Sequence, residues 1–202
     1  RPGLGHVEQR QMSRVVLFSG GLDSAVLLEL SRRATDGRTL ALTFDYGQPH
    51  RIEVKYAKMF CARRGIEHWT MSLDVPASGL LTKEESPVVL GRNMIMLSAA
   101  ASLAMVRGDD EVWFGATGED DELFPDCRPL FVHKMNGVME AIGGPRISAP
   151  LMGCLKGDIF DMARDMEIDV NDTWSCYFPE DKKPCGACLA CKVRKRGEAS
   201  VA

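Results

Sequence analysis

No apolar run in this 202-residue chain approaches the ~18 residues that a membrane-spanning helix needs. The opening RPGLGHVEQRQ lacks the apolar centre of a secretory signal. These two absences point to a cytoplasmic protein with no membrane partner. Charge of one sign is scarce too. Lys and Arg number 25 against 28 Asp and Glu, and the net charge of -3 gives too little bias for coating nucleic acid or an anionic membrane. Direct nucleic-acid binding is therefore not expected. Internal repeats and low-complexity linkers are also missing. What remains is an ordinary globular composition, 45% hydrophobic and 26% charged, in a length that suits one domain with a small appendage. The first eleven residues are polar and carry Gly and Pro, with Met12 a candidate natural start.

From Arg14 onward, short β-like runs alternate with amphipathic helical stretches. The runs are RVVLF (14–18), TLALTF (39–44), IEHWT (66–70), EVWFGA (111–116) and RISAPL (146–151), with helical patterns near 23–34, 50–64, 92–107, 129–142 and 157–167. This alternation predicts an α/β fold, a parallel five-stranded sheet with helices on both faces. Ligands of such sheets lie beyond the carboxyl ends of the strands, which directs attention to Ser19–Ser24, Asp45–His50 and Thr117–Arg128.

The first of these segments carries the strongest signal. RVVLF runs into SGGLDS and then into the helical AVLLELSRR. Two adjacent glycines let backbone N–H groups approach a phosphate, and the helix start that follows favours an anion. Neither G-x-x-x-x-G-K-[ST] nor G-x-G-x-x-G is present. The hexapeptide has the form of the PP-loop, S-G-G-x-D-S, of ATP pyrophosphatases, which cleave ATP between its α and β phosphates. A plain Gly-Gly turn with a helix cap is the competing reading.

Of seven cysteines, Cys61, Cys127 and Cys154 stand alone, while Cys176, Cys185, Cys188 and Cys191 crowd together near the end. In a reducing compartment such a cluster reads as metal ligands rather than disulfides. Four soft ligands with no open position suit a structural, tetrahedral Zn2+, and an iron–sulfur cluster is the rival. The expected division is therefore a PP-loop nucleotide-binding domain over 1–170 and a four-cysteine zinc knuckle over 171–202, whose core is too small to fold without metal. His50, His68 and His133 have no ligand spacing. The Met-rich stretch 94–105 reads as core packing, and Lys192, Arg194, Lys195 and Arg196 as a solvated helix face.

Between loop and knuckle lie FDYGQPHR (44–51), GRNMIMLSAAASLA (91–104), PDCRPLFVHKMN (125–136), APLMGCLKGDI (149–159) and TWSCY (173–177). In this order, over nearly all of the chain after residue 13, the series resembles the 7-cyano-7-deazaguanine synthase family of the queuosine and archaeosine pathways. The resemblance implies an ATP-dependent ligase, usually homodimeric, that converts 7-carboxy-7-deazaguanine and ammonia to the 7-nitrile. The carboxylate is first adenylated with release of pyrophosphate, ammonia then displaces AMP, and a second activation on the amide oxygen yields the nitrile.

On that resemblance, Leu17, Phe18, Ser19, Gly20, Gly21, Leu22, Asp23, Ser24, Ala25, Val26 and Leu27 form the ATP-binding segment, with Mg2+ accompanying ATP and Asp23 its nearest protein partner. Asp45 faces the nucleotide or opens a turn before Gly47. Arg92 and Asn93 bind substrate at the start of a helix, or serve as surface charge and helix cap. Asp126 reads the guanine-like edge and Arg128 holds the carboxyl group, or the two pair with each other. Asp23, Arg92 and Lys156 are the expected catalytic residues, with Lys156 either beside the phosphates or in solvent.

The chain also departs from the family. A segment before GRN is shortened to SGLLTKEESPVVLGRN, Pro49 replaces an Arg, and Glu122, Leu123 and Phe124 stand where Ser-Gly-Tyr is usual. These changes fit a compact synthase, a variant that stops at the amide, or a different acid substrate. Two readings lie outside the family: another PP-loop enzyme that adenylates acids or thiolates tRNA, through Cys127 or Cys154, and a non-catalytic nucleotide-binding module.

Overall fold

A computed structural model describes residues 12–34, 38–48, 50–74, 89, 91–120 and 124–200. Five strands form one sheet: β1 (Arg14–Leu17), β2 (Thr39–Asp45), β3 (Glu67–Ser72), β4 (Glu111–Trp113) and β5 (Arg146–Ser148). Their order is β3-β2-β1-β4-β5 and every pairing is parallel. The helices are α1 (Leu22–Ala34), α2 (Ile52–Arg64), α3 (Arg92–Arg107), α4 (Pro129–Ile142), α5 (Lys156–Asp165) and α6 (Leu189–Ser200).

Alternation along the strands sorts the helices into two layers. Val15, Leu40, Leu42, Val112 and Ile147 pack with Leu97, Ala100 and Ala104 of α3 and Met135 and Met139 of α4. Val16 and Ala41 point the other way, onto Ala25, Val26 and Leu28 of α1, Phe60 of α2 and Ile159 and Phe160 of α5. Both faces of the central strands are thus covered, and β2 is buried over Thr39–Phe44 as a central parallel strand should be.

The expected elements appear with shifted ends. β4 and β5 stop at Trp113 and Ser148, short of the predicted 116 and 151, because their ladder runs only opposite Arg14–Val16 and Arg146–Ser148. β3 runs on to Ser72, following β2 as far as Asp45. The Met-rich helix is core in part: Met96 is buried, whereas Met94 and Met105 are exposed. Among the described residues, no helix is long and apolar enough to cross a membrane.

β1 is the strand from which the connections run in opposite directions, to β2 on one side and β4 on the other. A crevice opens at such a point, beyond the carboxyl ends. Phe18, Phe114 and Ala116, just past β1 and β4, line it.

Candidate active site

The crevice is a cavity of about 310 Å3. Its floor is the loop from β1 to α1. Gly21 N–H donates to Ser19 Oγ at 3.2 Å, Ser24 Oγ donates to the Gly21 carbonyl at 2.9 Å, and the two hydroxyls lie 3.1 Å apart. The turn is held by its own hydroxyls before any ligand arrives. Gly20 has φ +89°, and a Cβ there would lie 2.6 Å from the Glu53 carbonyl oxygen, so α2 can approach the loop only because position 20 has no side chain.

Leu17, Phe18, Ser19, Gly21, Asp23 and Ser24 line the cavity. Leu22, Ala25, Val26 and Leu27 do not contribute their side chains, which are buried in the core, so their share in the expected ATP segment is to carry the helix. Gly20 is also off the cavity lining and acts through the close packing just described.

Asp23 opens α1 and receives Lys156 Nζ on Oδ2 at 2.7 Å, across 133 residues of sequence. Lys156 is thus tied to Asp23, which lines the cavity, although Lys156 is not itself on the lining. The Asp23 side chain keeps 33% of its surface, but it is recessed. Desolvation raises its pKa, Lys156 opposes the rise, and the nearby Asp120 and Glu119 add to it. Glu119 also accepts the Lys156 backbone N–H at 3.1 Å. Three carboxylates and one ammonium at a helix start make a place where a polyphosphate with its cation can exchange partners.

A second wall comes from the loop after β2 and the start of α3. Arg92 donates to the Tyr46 hydroxyl at 3.0 Å and lies over its ring. Its charge is largely withdrawn from water, and Tyr46, Glu53 and Asp126 supply the compensating field. Burial raises the Tyr46 pKa and keeps that phenol neutral. Asn93 is not the cap of α3. Its backbone N–H is capped by Asp126 Oδ2 at 3.2 Å, and its side chain returns a bond to the Asp126 carbonyl at 3.3 Å. Asp126 and Asn93 thus lock the turn 125–127 onto α3 while both line the cavity.

Two expected site residues lie elsewhere. Asp45 is outside the cavity lining, where its carboxylate takes Arg51 and closes the turn onto the Gly47 N–H at 3.4 Å. Arg128 is exposed at the start of α4 and does not line the cavity. Pro49, Glu122, Leu123 and the shortened segment at 75–88 lie outside the described residues, whereas Phe124 lines the cavity.

Sequence reasoning gave no role to Tyr46, His50, Glu53, Asp120 or Tyr177, all of which line the cavity, although Tyr46, His50 and Asp120 lie in the segments it pointed to. For Tyr46, His50 and Glu53 a signal existed, since they cluster just beyond the carboxyl end of β2. Asp120 carries the same mark, lying beyond β4 in Thr117–Arg128, whereas Tyr177 arrives through a turn without one. Cys127 also lines the cavity, but burial first and then Asp120 and Asp126 push its thiol up to about 12. It stays a neutral thiol that takes the Asn93 side-chain N–H at 3.5 Å.

The terminal cysteines come together as expected. One sulfur from each of Cys176, Cys185, Cys188 and Cys191 lies within 4.8 Å of every other. A tetrahedral ion with ligands at about 2.3 Å fits such a set. Backbone N–H groups of Cys185 and Cys188 point at the sulfurs of Cys176 and Cys185, at 3.2 and 3.4 Å, as donors that favour thiolates. Four thiolates so close can form together only around a cation. The cluster is tied to the cleft: Trp174 N–H donates to the Gly20 carbonyl at 2.8 Å, and the Tyr177 ring meets that of His50. The basic stretch divides. Lys192, Lys195 and Arg196 are exposed, but Arg194 turns inward and donates to the carbonyls of Val170 and Thr173, tying α6 to the turn at 170–175.

The chain matches the family model described as queuosine biosynthesis protein QueC over residues 13–201. It is 38% identical over 208 residues to the 7-cyano-7-deazaguanine synthase of Leptospira interrogans, covering 91% of this chain and 85% of that protein. The synthase of Marinobacter nauticus is 38% identical over 90% of each chain. The chain belongs to the QueC family.

Solved structures resemble this QueC-family chain in fold. The U34-tRNA thiolase NcsA of Methanococcus maripaludis, with its [4Fe-4S] cluster, superposes with a TM-score of 0.60 at 14% identity over 94% of this chain and 66% of its own. NMN synthetase of Francisella tularensis gives 0.55 at 16% identity over 94% of this chain and 78% of its own. Identities this low speak for the PP-loop architecture alone.

Proposed function

We propose that the chain is a 7-cyano-7-deazaguanine synthase, an ATP-dependent C–N ligase acting on 7-carboxy-7-deazaguanine and ammonia as a cytoplasmic homodimer. The observation that carries this reading is that Asp23, paired with Lys156 from outside the lining, and the buried Arg92 line one cleft. A nucleotide anion and a second anion can then meet between them.

In this reading Ser19, Gly21 and Ser24 bind the pyrophosphate of ATP, and Lys156 follows its charge as it leaves. Asp23 would hold Mg2+, which supplies charge neutralisation when ATP is bound. Arg92 holds the carboxylate of the deazaguanine for attack on the α-phosphate, steadied by Tyr46. Asn93 and Asp126 border the base, with Phe114 and Phe124 as apolar walls. The protein contributes position and charge, since adenylation itself turns a carboxylate oxygen into a leaving group. Cys176, Cys185, Cys188 and Cys191 would hold Zn2+ as a structural centre of the segment 171–202.

Purified protein given 7-carboxy-7-deazaguanine, ATP, Mg2+ and ammonium is expected to form the nitrile by mass spectrometry, with pyrophosphate released in step. Amide as the sole product would restrict the chain to the first half of the reaction. No product and no substrate-dependent pyrophosphate would remove the deazaguanine assignment.

A further inference from the structure

Glu53 has two jobs that its two oxygens divide. Oε1 accepts the side-chain N–H of Gln48 at 2.9 Å. Gln48 in turn accepts the Tyr46 N–H at 2.9 Å and donates to the Phe44 carbonyl at 3.3 Å, so this oxygen secures the loop after β2. Oε2 lies 3.4 Å from His50 Nε2. The side chain is 14% exposed, and the residue lines the same cavity as the phosphate loop and Arg92.

The reaction proposed above needs a group that neither Asp23 nor Lys156, engaged with each other, is placed to supply. Ammonia attacking an acyl adenylate becomes a cationic nitrogen that must lose a proton. Resting on the synthase reading, we infer that Glu53 is the base that takes this proton.

The nitrogen lone pair forms the C–N bond, and the bond from the acyl carbon to the AMP oxygen breaks with its electrons leaving on AMP. One N–H proton passes to Glu53 Oε2, giving the neutral amide and a protonated carboxyl group. The setting suits the exchange. Burial brings the Glu53 carboxyl up to about 7, with Gln48 and Arg92 opposing the rise, so both protonation states are accessible near neutral pH. His50, on the same turn, is pushed down to about 4 by burial and by Arg92, so it does not compete as a cation. The other titratable groups on the cavity lining are Tyr46, Arg92, Cys127 and Tyr177 and the acids Asp23, Asp120 and Asp126.

The test separates adenylation from amide formation. Substrate-dependent exchange of labelled pyrophosphate into ATP reads the first step, and amide formation, scaled to free ammonia, reads the second. Glu53→Gln keeps an oxygen for Gln48 but cannot accept the proton. It is expected to retain exchange within about threefold and to lose amide formation by about 10²–10⁴-fold, with Glu53→Asp in between. The wild-type amide step should rise with pH to a bend near 7, and that bend should vanish in Glu53→Gln. Unchanged amide formation in the variant, a parallel loss of both steps, or a wild-type profile without the bend would each overturn the inference while leaving the synthase reading standing. Absence of substrate-dependent exchange in the wild type would instead overturn that reading, and this inference with it.

Discussion

The phosphate loop and the cysteine knuckle face each other across one hydrogen bond, yet they are held by opposite means. The loop rests on Val15, Val16 and Phe18, each at most 1% exposed, with strands on both sides and α1 beneath. The knuckle, from Cys176 to Cys191, buries Cys176 alone among its described residues and gathers around four sulfurs. One region is shaped by burial, the other is built of side chains that could ligate a metal. Burial tolerates single losses of a few kcal/mol, whereas a ligand set fails when one member is lost.

That contrast can be broken most severely at the metal. Cys188→Ser, or a chelator, is expected to abolish metal content and unfold 176–191, a loss on the order of 10 kcal/mol of binding energy, while the far-UV signal of the sheet survives. Because Trp174 and Tyr177 flank Cys176 and reach Gly20 and His50, nucleotide affinity should fall with the metal. Calorimetry with ATP on the metal-free protein measures this, and unchanged affinity would uncouple the two regions.

The loop side should respond more locally. Lys156→Ala removes the partner of Asp23 and is expected to slow pyrophosphate release by about 10²-fold, with little change in melting temperature. Gly20→Ala forces a side chain into a left-handed backbone against the Glu53 carbonyl and should cost about 2–3 kcal/mol, seen as a melting point lower by ~5–10 °C. Arg194→Ala, which removes the donor that ties α6 to Val170 and Thr173, should cost about 1–2 kcal/mol and speed hydrogen exchange in 170–176 before it affects the sheet.

The smallest signal is a slope. Glu53 holds its proton more tightly folded than unfolded, so its contribution to stability is full below about 4.5 and is lost as pH rises through about 7. His50 is the reverse: its contribution is full above 6.5 and is lost as pH falls through about 4. The two oppose each other between these limits. Denaturation of Glu53→Gln should therefore show stability climbing more steeply with pH between 4.5 and 6.5 than in the wild type.

Much of this was legible in the sequence because it is local. The alternation in RVVLF and TLALTF, the Gly-Gly turn before α1 and the spacing of the four cysteines each carry their meaning within a few residues. The rest depends on meetings that no window contains. Lys156 reaches Asp23 across 133 positions. Asp126, read as a substrate contact, also caps the first turn of a helix through Asn93, 33 positions before it. Asp45 could face the nucleotide or open a turn before Gly47, and the turn is what forms, with Arg51 on its other oxygen. A short acid or cation has many geometries open to it, and the sheet order decides among them.

That order also carries a consequence for how the chain is made. β1 finds one neighbour soon, with Arg14 beside Thr39, but its other side waits for Glu111. A nascent chain released as far as β3 would carry an uncovered flank on the strand that bears the phosphate loop, open to stray pairing. The crevice needs Phe114 and Ala116, so it cannot close until β4 has been translated. Stalled ribosomes carrying truncations on either side of residue 116 should thus differ in protease resistance around the loop, and nucleotide should protect only the longer ones.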